Sequence, residues 1–303
     1  MKVFHRTSYN VKCDKELRIV LLSDIHFSYR VKDVFLNSLV KRIREEQPNY
    51  IMIAGDIIDS LNMIYKEEEK KRLFRFLEEL GKICVVLISI GNHDYIKKTN
   101  GSNNASKWVF EDSSFWSDVD KLQNVFVLDN KEYEDDKIYV AGITQDYKYY
   151  YVNDDDNAKC GEQVKEMVRI LDSNKKILPN ENCDKLKIAL IHSPILLKND
   201  AVSKRLKCFD YVFSGHMHNG CVPPLLYELW NSDKGIIAPS KKLWVSNVRN
   251  TLSESNNILV NGPVTTFHEC TGLFYLANIL FPSYYSVISF GDYKFSKESK
   301  YIM

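Results

Sequence analysis

The chain has 303 residues, with 41 Lys+Arg against 40 Asp+Glu, which gives a formal net charge of +1. Hydrophobic residues make up 45% and charged residues 27%, the balance of a globular protein with a sizeable core. This composition argues against an intrinsically disordered chain, and the balanced charge argues against a dedicated nucleic-acid surface.

The ends of the chain and its cysteines bear on where it functions. The first ten residues are polar and basic without an apolar run, so we expect no secretory signal. The seven cysteines are scattered and form no Cys-x-x-Cys pair, which is typical of free thiols in a reducing compartment. The longest uncharged stretch, residues 270–291, contains Pro282 and predicts two strands joined by a turn rather than a membrane span. We therefore expect a cytoplasmic protein.

The first half of the chain alternates apolar runs with amphipathic stretches. The apolar runs Leu17–Ser23, Tyr50–Ala54 and Ile83–Ile90 are predicted strands. Between them, apolar residues recur at helical spacing over residues 35–43 and again over 73–80. This β-α-β-α-β order predicts parallel strands that are buried on both faces.

The second half of the chain has fewer clear periods. Its pattern predicts strands at residues 137–143, 187–191 and 211–214 and a helix over residues 164–171. Four short strands of a second sheet are predicted in the C-terminal third, at Ile236–Val245, Asn257–Val260, Leu273–Leu280 and Tyr285–Phe290. Because no linker divides the chain, we expect a single domain spanning residues 1–303.

Five of the predicted strands end in polar clusters, which hold five of the seven histidines. The clusters are Asp24-Ile25-His26, Gly55-Asp56-Ile57-Ile58-Asp59, Gly91-Asn92-His93-Asp94, His192 and Gly215-His216-Met217-His218. Ligands of α/β proteins gather at the carboxyl ends of the strands. Carboxylate, carboxamide and imidazole groups favour Mn²⁺, Fe or Zn²⁺ over Ca²⁺. In the pairs Asp24-x-His26 and His216-x-His218, the two-residue spacing would place both side chains on the same side of an extended segment. The set is too large for one tetrahedral ion, so two ions are expected.

These clusters resemble, in order and spacing, the calcineurin-like metallophosphoesterase superfamily motifs D-x-H, G-D-x-x-D, G-N-H-[DE], H and G-H-x-H. The compact layout looks most like the bacterial single-domain phosphodiesterase branch. The resemblance implies an α/β fold in which two mixed β-sheets pack as a sandwich flanked by helices. It also implies hydrolysis of a phosphate ester, a phosphodiester in particular, by a metal-bound hydroxide.

The resemblance further implies roles for individual residues. Two divalent ions, Mn²⁺ or alternatively Fe or Zn²⁺, would be held by Asp24, His26 and His218 and by Asn92, His192 and His216, with Asp56 bridging. His93 would orient the phosphate or protonate the leaving oxygen. A carboxylate of Asp59 paired with that ring would fix its tautomer and raise its basicity. Asp94 either caps a following helix or belongs to the site.

One departure from the motifs of related proteins bears on the class of substrate. Asp59 is followed by Ser60 and Leu61, where protein phosphatases of the superfamily have Arg-Gly, so a phosphoprotein substrate is disfavoured. A small phosphorylated substrate is expected instead, with Arg30 within reach of a phosphate. The oligomeric state is left open.

Two alternatives remain at this point. One is a phosphoesterase that acts on a lipid headgroup at a membrane surface, where apolar residues 222–230 and Trp244 beside lysines would make a weak contact. The other is a binding module of the same fold without catalysis. A retained ligand set and His93 weigh against the second.

Overall fold

The computed structural model describes residues 4–11, 13–59, 66–94, 113–145, 157–174, 177–180, 182–216, 257–260, 264–265 and 283–291. Its strands are β1 (Phe4–Val11), β2 (Leu17–Leu22), β3 (Tyr50–Ala54), β4 (Val85–Ser89), β5 (Val125–Val127), β6 (Lys131–Glu134), β7 (Ile138–Ile143), β8 (Leu186–Ile191), β9 (Tyr211–Ser214), β10 (Asn257–Val260) and β11 (Ser283–Phe290). Its helices are α1 (Asp33–Glu46), α2 (Glu67–Gly81), α3 (Ser113–Val119), α4 (Asn157–Ser173) and α5 (Asp200–Leu206), with a 3₁₀ turn at Ile195–Lys198.

The strands form two mixed sheets. The six-stranded sheet has the order β1-β11-β2-β3-β4-β5, and the five-stranded sheet has the order β10-β9-β8-β7-β6. In the first sheet β2 to β5 run parallel, whereas β11 pairs antiparallel with β2. In the second sheet β7 to β10 run parallel, and β6 is antiparallel to β7. Parallel neighbours end at the same edge of a sheet, so the polar segments after these strands are brought together.

The buried residues fall into three layers that alternate with the sheets. Leu39 of α1 and Leu77 of α2 pack on the outer face of the first sheet. Met52 of β3 and Phe213 of β9 belong to the layer between the two sheets. Helices α4 and α5 cover the outer face of the second sheet, where Leu171 is fully buried. The predicted sandwich of two mixed sheets between helices is therefore confirmed.

The two long helices follow from their sequences. The buried residues of α1, Leu36, Leu39, Val40 and Ile43, recur at the spacing expected for one face. The helix ends before Gln47, whose left-handed backbone has φ 50°, and Pro48 follows. Helix α2 opens with three glutamates, which suit the positive end of the helix dipole. Both helices match the predicted ones.

The C-terminal strands divide between the two sheets, which corrects one prediction. Asn257–Val260 lies in the second sheet as expected, but Ser283–Phe290 lies in the first, between β1 and β2. The strand Phe4–Val11 was not predicted, because its mixture of polar and apolar residues shows no clear alternation. The predicted strands at residues 236–245 and 273–280 lie outside the described residues.

Two further predictions, on membrane spans and on cysteines, can be compared with the described residues only. Within the described ranges, no helix has the length and apolarity needed to cross a bilayer. Cys13, Cys84, Cys183 and Cys208 carry free thiols. The expectation of one domain over residues 1–303 stays a prediction.

Candidate metal centre

Six of the seven expected metal ligands lie in the segments that follow β2, β3, β4, β8 and β9. All six are buried, with at most 5% of the residue surface exposed. Two groups of expected ligands share Asp56: Asp24, His26 and Asp56, and Asp56, His192 and His216. A third group joins His26 to Asp59 and His93, and the ligand atoms within each group lie within 4.8 Å of one another. Asp56 is the residue expected to bridge two ions.

The two carboxylate oxygens of Asp56 have separate neighbours. Oδ1 accepts a hydrogen bond from the main-chain N–H of His93 at 2.8 Å. Oδ2 lies 3.0 Å from His192 Nε2 and 3.8 Å from His26 Nε2. The main chain therefore holds one oxygen and turns the other between two imidazoles from different sheets.

Hydrogen bonding determines which nitrogen of His192 faces this centre. Its Nδ1 lies 2.7 Å from the main-chain oxygen of Ala54, and because a carbonyl only accepts, Nδ1 carries the hydrogen. Nε2 then points to Asp56 Oδ2 and, at 3.1 Å, to Asn92 Oδ1. Nε2 therefore either carries a proton that Asp56 and Asn92 accept or, when deprotonated, shares a cation with these two oxygens. The donor set thus fits a divalent metal.

The second sheet also holds Asp24 in place. Both carboxylate oxygens of Asp24 lie 3.1 Å from the main-chain nitrogen of His216, which donates to them. The His216 ring lies against the His192 ring, with centroids 5.0 Å apart. The ends of β2, β8 and β9 therefore meet at one place, although 192 residues separate Asp24 from His216.

The backbone at four expected ligands corrects the assumption of extended segments. Asp24, His26, Asp56 and His216 have positive φ values, of 52°, 44°, 53° and 69°. This left-handed conformation is uncommon for residues other than glycine and clusters at functional sites, where surrounding contacts hold it. The side chains converge because each strand end turns sharply, and not because alternate residues of a strand share a face.

Glycines before three expected ligands make room for this convergence. A Cβ at Gly55 would lie 2.6 Å from His192 Nδ1, and one at Gly215 would lie 2.7 Å from Asp24 Oδ2. A Cβ at Gly91 would fall on Asp56 Oδ1. The sequence shows a glycine before the ligand in each of these clusters. The role of these glycines could not be predicted, because it depends on contacts between loops.

His93 and Asp59 lie beside this centre, with a different contact from the one expected. His93 Nδ1 lies 2.7 Å from the main-chain oxygen of Asp59, which takes the position expected for its carboxylate. The carboxylate lies 3.7 Å from His26 Nδ1. Because the carbonyl only accepts, it still fixes the tautomer of His93 with the hydrogen on Nδ1. The His93 ring packs edge-on against His26, with centroids 4.6 Å apart.

Asp94 belongs to the loop framework, and the residues after it, where a capped helix was the alternative, lie outside the described ones. Its fully buried carboxylate accepts hydrogen bonds from the main-chain N–H groups of Asp56, Ile57, Ile58 and Gly91, at 2.8–3.1 Å. Burial and the charge of Asp56 raise the pKa of Asp94 to about 7. A cation beside Asp56 would offset that charge and favour the ionised form. Asp94 thus joins the loops after β3 and β4.

A later segment that the motifs do not include also holds the site. The main-chain N–H groups of Val264 and Thr265 donate to the carbonyls of Ser23 and Asp24, at 2.9 and 3.1 Å. The buried Thr265 hydroxyl donates to the carbonyl of Ile25. Sequence reasoning missed these two residues, because nothing in Val-Thr indicates a contact with a strand end some 240 residues earlier.

The charges of the site reinforce one another. Burial would raise the pKa of Asp56, yet His192, His93 and His26 hold it well below its usual value. Burial lowers the pKa of His192, but Asp56 more than offsets this and raises it to about 9. The pKa of His93 is raised in the same way, against its burial, by Asp56 and by the main-chain oxygen of Asp59. Asp56 is therefore an ionised carboxylate that draws positive charge to its centre.

The remaining expected site residues lie elsewhere. Arg30 is in a turn that begins two residues after His26, where its Nε donates to Tyr29 Oη at 2.9 Å. His218 lies outside the described residues, as do Ser60 and Leu61 and the apolar segment at 222–244 considered for membrane contact. The structure thus brings together every described member of the expected ligand set.

Comparison with known proteins places the chain in a family. The model of the family Calcineurin-like phosphoesterase matches residues 17–220, which is more than half of the chain, and the chain belongs to this family. The match begins at β2 and includes all five polar clusters. The superfamily resemblance noted from the motifs is therefore confirmed.

Individual relatives are distant. An uncharacterised metallophosphoesterase of Campylobacter jejuni is 25% identical over 213 residues, which cover 70% of this chain and 47% of the relative. The UDP-2,3-diacylglucosamine pyrophosphatase LpxG of Chlamydia trachomatis is 33% identical over 79 residues, or 26% of this chain and 23% of that protein. The solved structure of a phosphopantetheinyl hydrolase of Mycobacterium tuberculosis has a TM-score of 0.38 at 12% identity, covering 67% of this chain and 83% of that chain. The chain spans about half the length of the curated relatives that it matches over most of its own length.

Proposed function

We propose that this protein hydrolyses a phosphate ester, a phosphodiester in particular, with the help of two divalent metal ions. The observation that carries the proposal is the position of Asp56, whose Oδ2 lies between His192 of one sheet and His26 of the other. Two ligand groups that share one carboxylate suit a pair of ions. Membership of the Calcineurin-like phosphoesterase family supports the same reaction class.

The proposed metal ligands are the buried side chains at the strand ends. Asp24 and His26 would hold one ion together with His218, and Asn92, His192 and His216 would hold the other. Mixed oxygen and nitrogen donors favour Mn²⁺, with Fe or Zn²⁺ as alternatives. A divalent ion supplies Lewis-acid polarisation of the phosphoryl group and lowers the pKa of water.

We assign the proton-handling role to His93. Its Nδ1 keeps a hydrogen against the main-chain oxygen of Asp59, so Nε2 is the nitrogen that exchanges a proton with the leaving oxygen. The Asp59 carbonyl and the His26 ring fix the plane of the imidazole. A ring held in one orientation donates its proton along one direction, which is what an in-line displacement requires.

Turnover of bis-p-nitrophenyl phosphate by protein stripped of metal and then resupplied with Mn²⁺ tests this function. Release of p-nitrophenolate only after Mn²⁺ is added is the expected result. p-Nitrophenyl phosphate in a parallel assay separates the two ester classes, and faster hydrolysis of the diester is expected. Protein that binds Mn²⁺ and hydrolyses neither ester would contradict the proposal and leave a highly selective enzyme or a binding module.

A lipid-headgroup substrate is the second candidate. The favouring observation is the local similarity to LpxG, which is named as a pyrophosphatase of a diacylated nucleotide sugar. Hydrolysis of a lipid-borne ester in vesicles at a higher rate than a soluble ester would select this candidate. A cytoplasmic location is proposed in either case, because the scattered free thiols suit a reducing compartment.

A further inference from the structure

The stretch of chain that carries Asp24 and His26 is bound on one side by the loop after β3. The N–H of Asp24 donates to the carbonyl of Gly55, and the N–H of His26 donates to the carbonyl of Asp56, both at 3.0 Å. These bonds use N–H groups of the stretch. The buried carbonyls of residues 23–25 need donors from elsewhere in the fold.

A short segment between β10 and β11 supplies these donors. The N–H groups of Val264 and Thr265 donate to the carbonyls of Ser23 and Asp24, at 2.9 and 3.1 Å. The Thr265 hydroxyl donates to the carbonyl of Ile25, and Thr265 is only 1% exposed. The stretch is therefore held from both sides, and one of the bonds that hold it can be removed by a side-chain substitution alone.

This segment lies where the chain passes from one sheet to the other. Strand β10 belongs to the second sheet and β11 to the first. The segment also follows the region 17–220 that the family model matches. The support for the end of β2 therefore comes from a part of the chain that the five polar clusters do not include.

The backbone of Asp24 and His26 needs such support. Both residues have positive φ values, 52° and 44°, a conformation that residues other than glycine keep only where surrounding contacts hold it. Loss of the Thr265 hydroxyl would leave the buried carbonyl of Ile25 without this donor. The main chain could then relax between the two expected ligands and shift both side chains.

The other expected ion depends on different contacts. Nδ1 of His192 donates to the carbonyl of Ala54 at 2.7 Å, and Nε2 lies 3.1 Å from Asn92 Oδ1. In the described part of the chain, the hydrogen bonds of Thr265 go to the carbonyls of residues 24–25 instead. A change at Thr265 should therefore affect one ligand group and not both.

We propose that Thr265 is a positioning residue for one of the two metal ions. Its hydroxyl raises the affinity of the ion held by Asp24 and His26. The ion held by His192 and His216 does not depend on it. This inference rests on the proposed function, which requires the two ions. The hydroxyl acts through the carbonyl of the residue that separates the first two ligands.

Titration calorimetry of Mn²⁺ into metal-stripped Thr265→Val tests the inference without any turnover. Valine keeps the shape of threonine, so the substitution removes the hydroxyl alone. We expect the affinity for one Mn²⁺ ion to fall about tenfold, the effect of one buried hydrogen bond, and the affinity for the other to stay within about twofold of wild type. In an Asp24→Asn background, which already weakens the first ion, Thr265→Val should change Mn²⁺ binding little.

Two variants serve as controls. Thr265→Ser keeps the hydroxyl and should retain most of the wild-type affinity for both ions. Ser289→Ala removes another buried hydroxyl, on β11, which has no hydrogen-bond partner among the described residues, and should keep both affinities. Equal Mn²⁺ binding by Thr265→Val and wild type, or equal weakening of both ions, would overturn the inference. A loss in Thr265→Ser as large as in Thr265→Val would do the same.

Hydrogen exchange in EDTA measures the same contact in metal-free protein. The peptide that contains residues 24–27 should exchange faster in Thr265→Val than in wild type, because its N–H groups belong to the loosened stretch. A peptide from β8 should exchange at the same rate in both proteins. Unchanged exchange at residues 24–27 would overturn the inference. Failure of the wild type to bind Mn²⁺ would instead count against the proposed function, since the exchange experiment needs no metal.

Discussion

The carboxylate of Asp94 holds the main chain of Asp56, a residue 38 positions earlier: the N–H of Asp56 donates to Oδ2 of Asp94 at 2.8 Å. The same carboxylate accepts from Ile57, Ile58 and Gly91. In the loop after β3, three consecutive N–H groups are thus satisfied by one side chain from the loop after β4. The direction in which the Asp56 carboxylate points depends on Asp94, although Asp94 is in none of the three candidate ligand groups.

Asp94→Ala should destabilise the protein, because it leaves four buried N–H groups without their acceptor. We expect the free energy of unfolding to fall by about 3 kcal/mol, measured by urea denaturation in EDTA so that metal binding does not contribute. Asp120→Ala is the control, since the exposed Asp120 accepts from the N–H of Val127. Equal losses in the two variants would contradict the special role of Asp94.

Gly91→Ala should disturb the metal centre while the two sheets stay intact. The added methyl group would fall on Asp56 Oδ1 and push the carboxylate away from His192. We expect lower metal content by mass spectrometry and activity reduced by about 100-fold, the cost of a displacement near 1 Å.

The matched control for this substitution is Gly161→Ala in α4. A Cβ at Gly161 would meet nothing within 4 Å beyond its own helix backbone and chain neighbours, and alanine favours a helix by up to about 1 kcal/mol. This variant should keep its metal and activity and melt at an equal or higher temperature. Full metal occupancy in Gly91→Ala would show that the loops accommodate a methyl group after all.

Asp56→Asn should reduce the occupancy of both ions. The amide keeps the shape of the carboxylate but removes the charge that His192 and His26 face. We expect Mn²⁺ affinity, measured by titration calorimetry, to fall by more than about 100-fold, together with nearly all turnover. Asp136→Asn changes an exposed carboxylate and serves as the control. Retention of both ions with normal turnover would refute the bridging role.

His93→Ala should keep the metals and slow the reaction. If His93 donates a proton to the leaving oxygen, the loss is about 10²–10⁴-fold for a phenyl ester, which has a poor leaving group. The loss should be smaller for a p-nitrophenyl ester, whose leaving group needs less assistance. A comparison of the two esters with both variant and wild type measures this difference. Identical losses for the two esters would exclude a general acid at this position.

Asp135 links the two sheets and should make stability depend on pH. Its carboxylate accepts from Tyr50 Oη of β3 at 2.7 Å and from the N–H groups of Lys137 and Ile138 at the start of β7. Burial raises the pKa of Asp135, but these hydrogen bonds outweigh it and lower the pKa below its usual value. A lowered pKa means that the ionised form stabilises the folded state above the unfolded-state pKa, which is about 3.9. That contribution is lost as the pH falls through the lower, folded-state pKa.

Asp135→Asn should therefore reduce the free energy of unfolding at pH 7, and the difference from wild type should shrink below about pH 4. Urea denaturation between pH 2 and pH 8 measures it. Asp136→Asn, at the neighbouring exposed residue, should show a smaller effect throughout. A difference that grows on acidification would reverse the sign we assign.

The parallel strands and the polar clusters at their ends could be predicted from local sequence. The runs Tyr50–Ala54 and Tyr211–Ser214 are strands at the predicted boundaries, since continuous apolar residues between turns suit strands buried on both faces. The order of elements then places Asp56 and His216 at the same edge of the sandwich. These features depend on patterns within a few residues, which a single sequence contains.

Features that depend on contacts between distant parts of the chain could not be predicted from such patterns. Ser283–Phe290 pairs with Leu17–Leu22 in the first sheet, and no periodicity indicates which of two sheets a strand will join. The four amide donors to Asp94 come from two loops, and the contact between Thr265 and Ile25 joins opposite parts of the chain. The left-handed backbone at His26 was not predicted either, because this conformation is uncommon for residues other than glycine.

The distances along the chain between the proposed ligands have a consequence for folding. His192 contacts Asn92 across 100 residues and Ala54 across 138, and Asp24 contacts the main chain of His216 across 192. Contacts of such high sequence separation form late, after loop closure has been offset by other interactions. We therefore expect the site to assemble only once both sheets have met, so that a metal ion added during refolding would bind in the last phase.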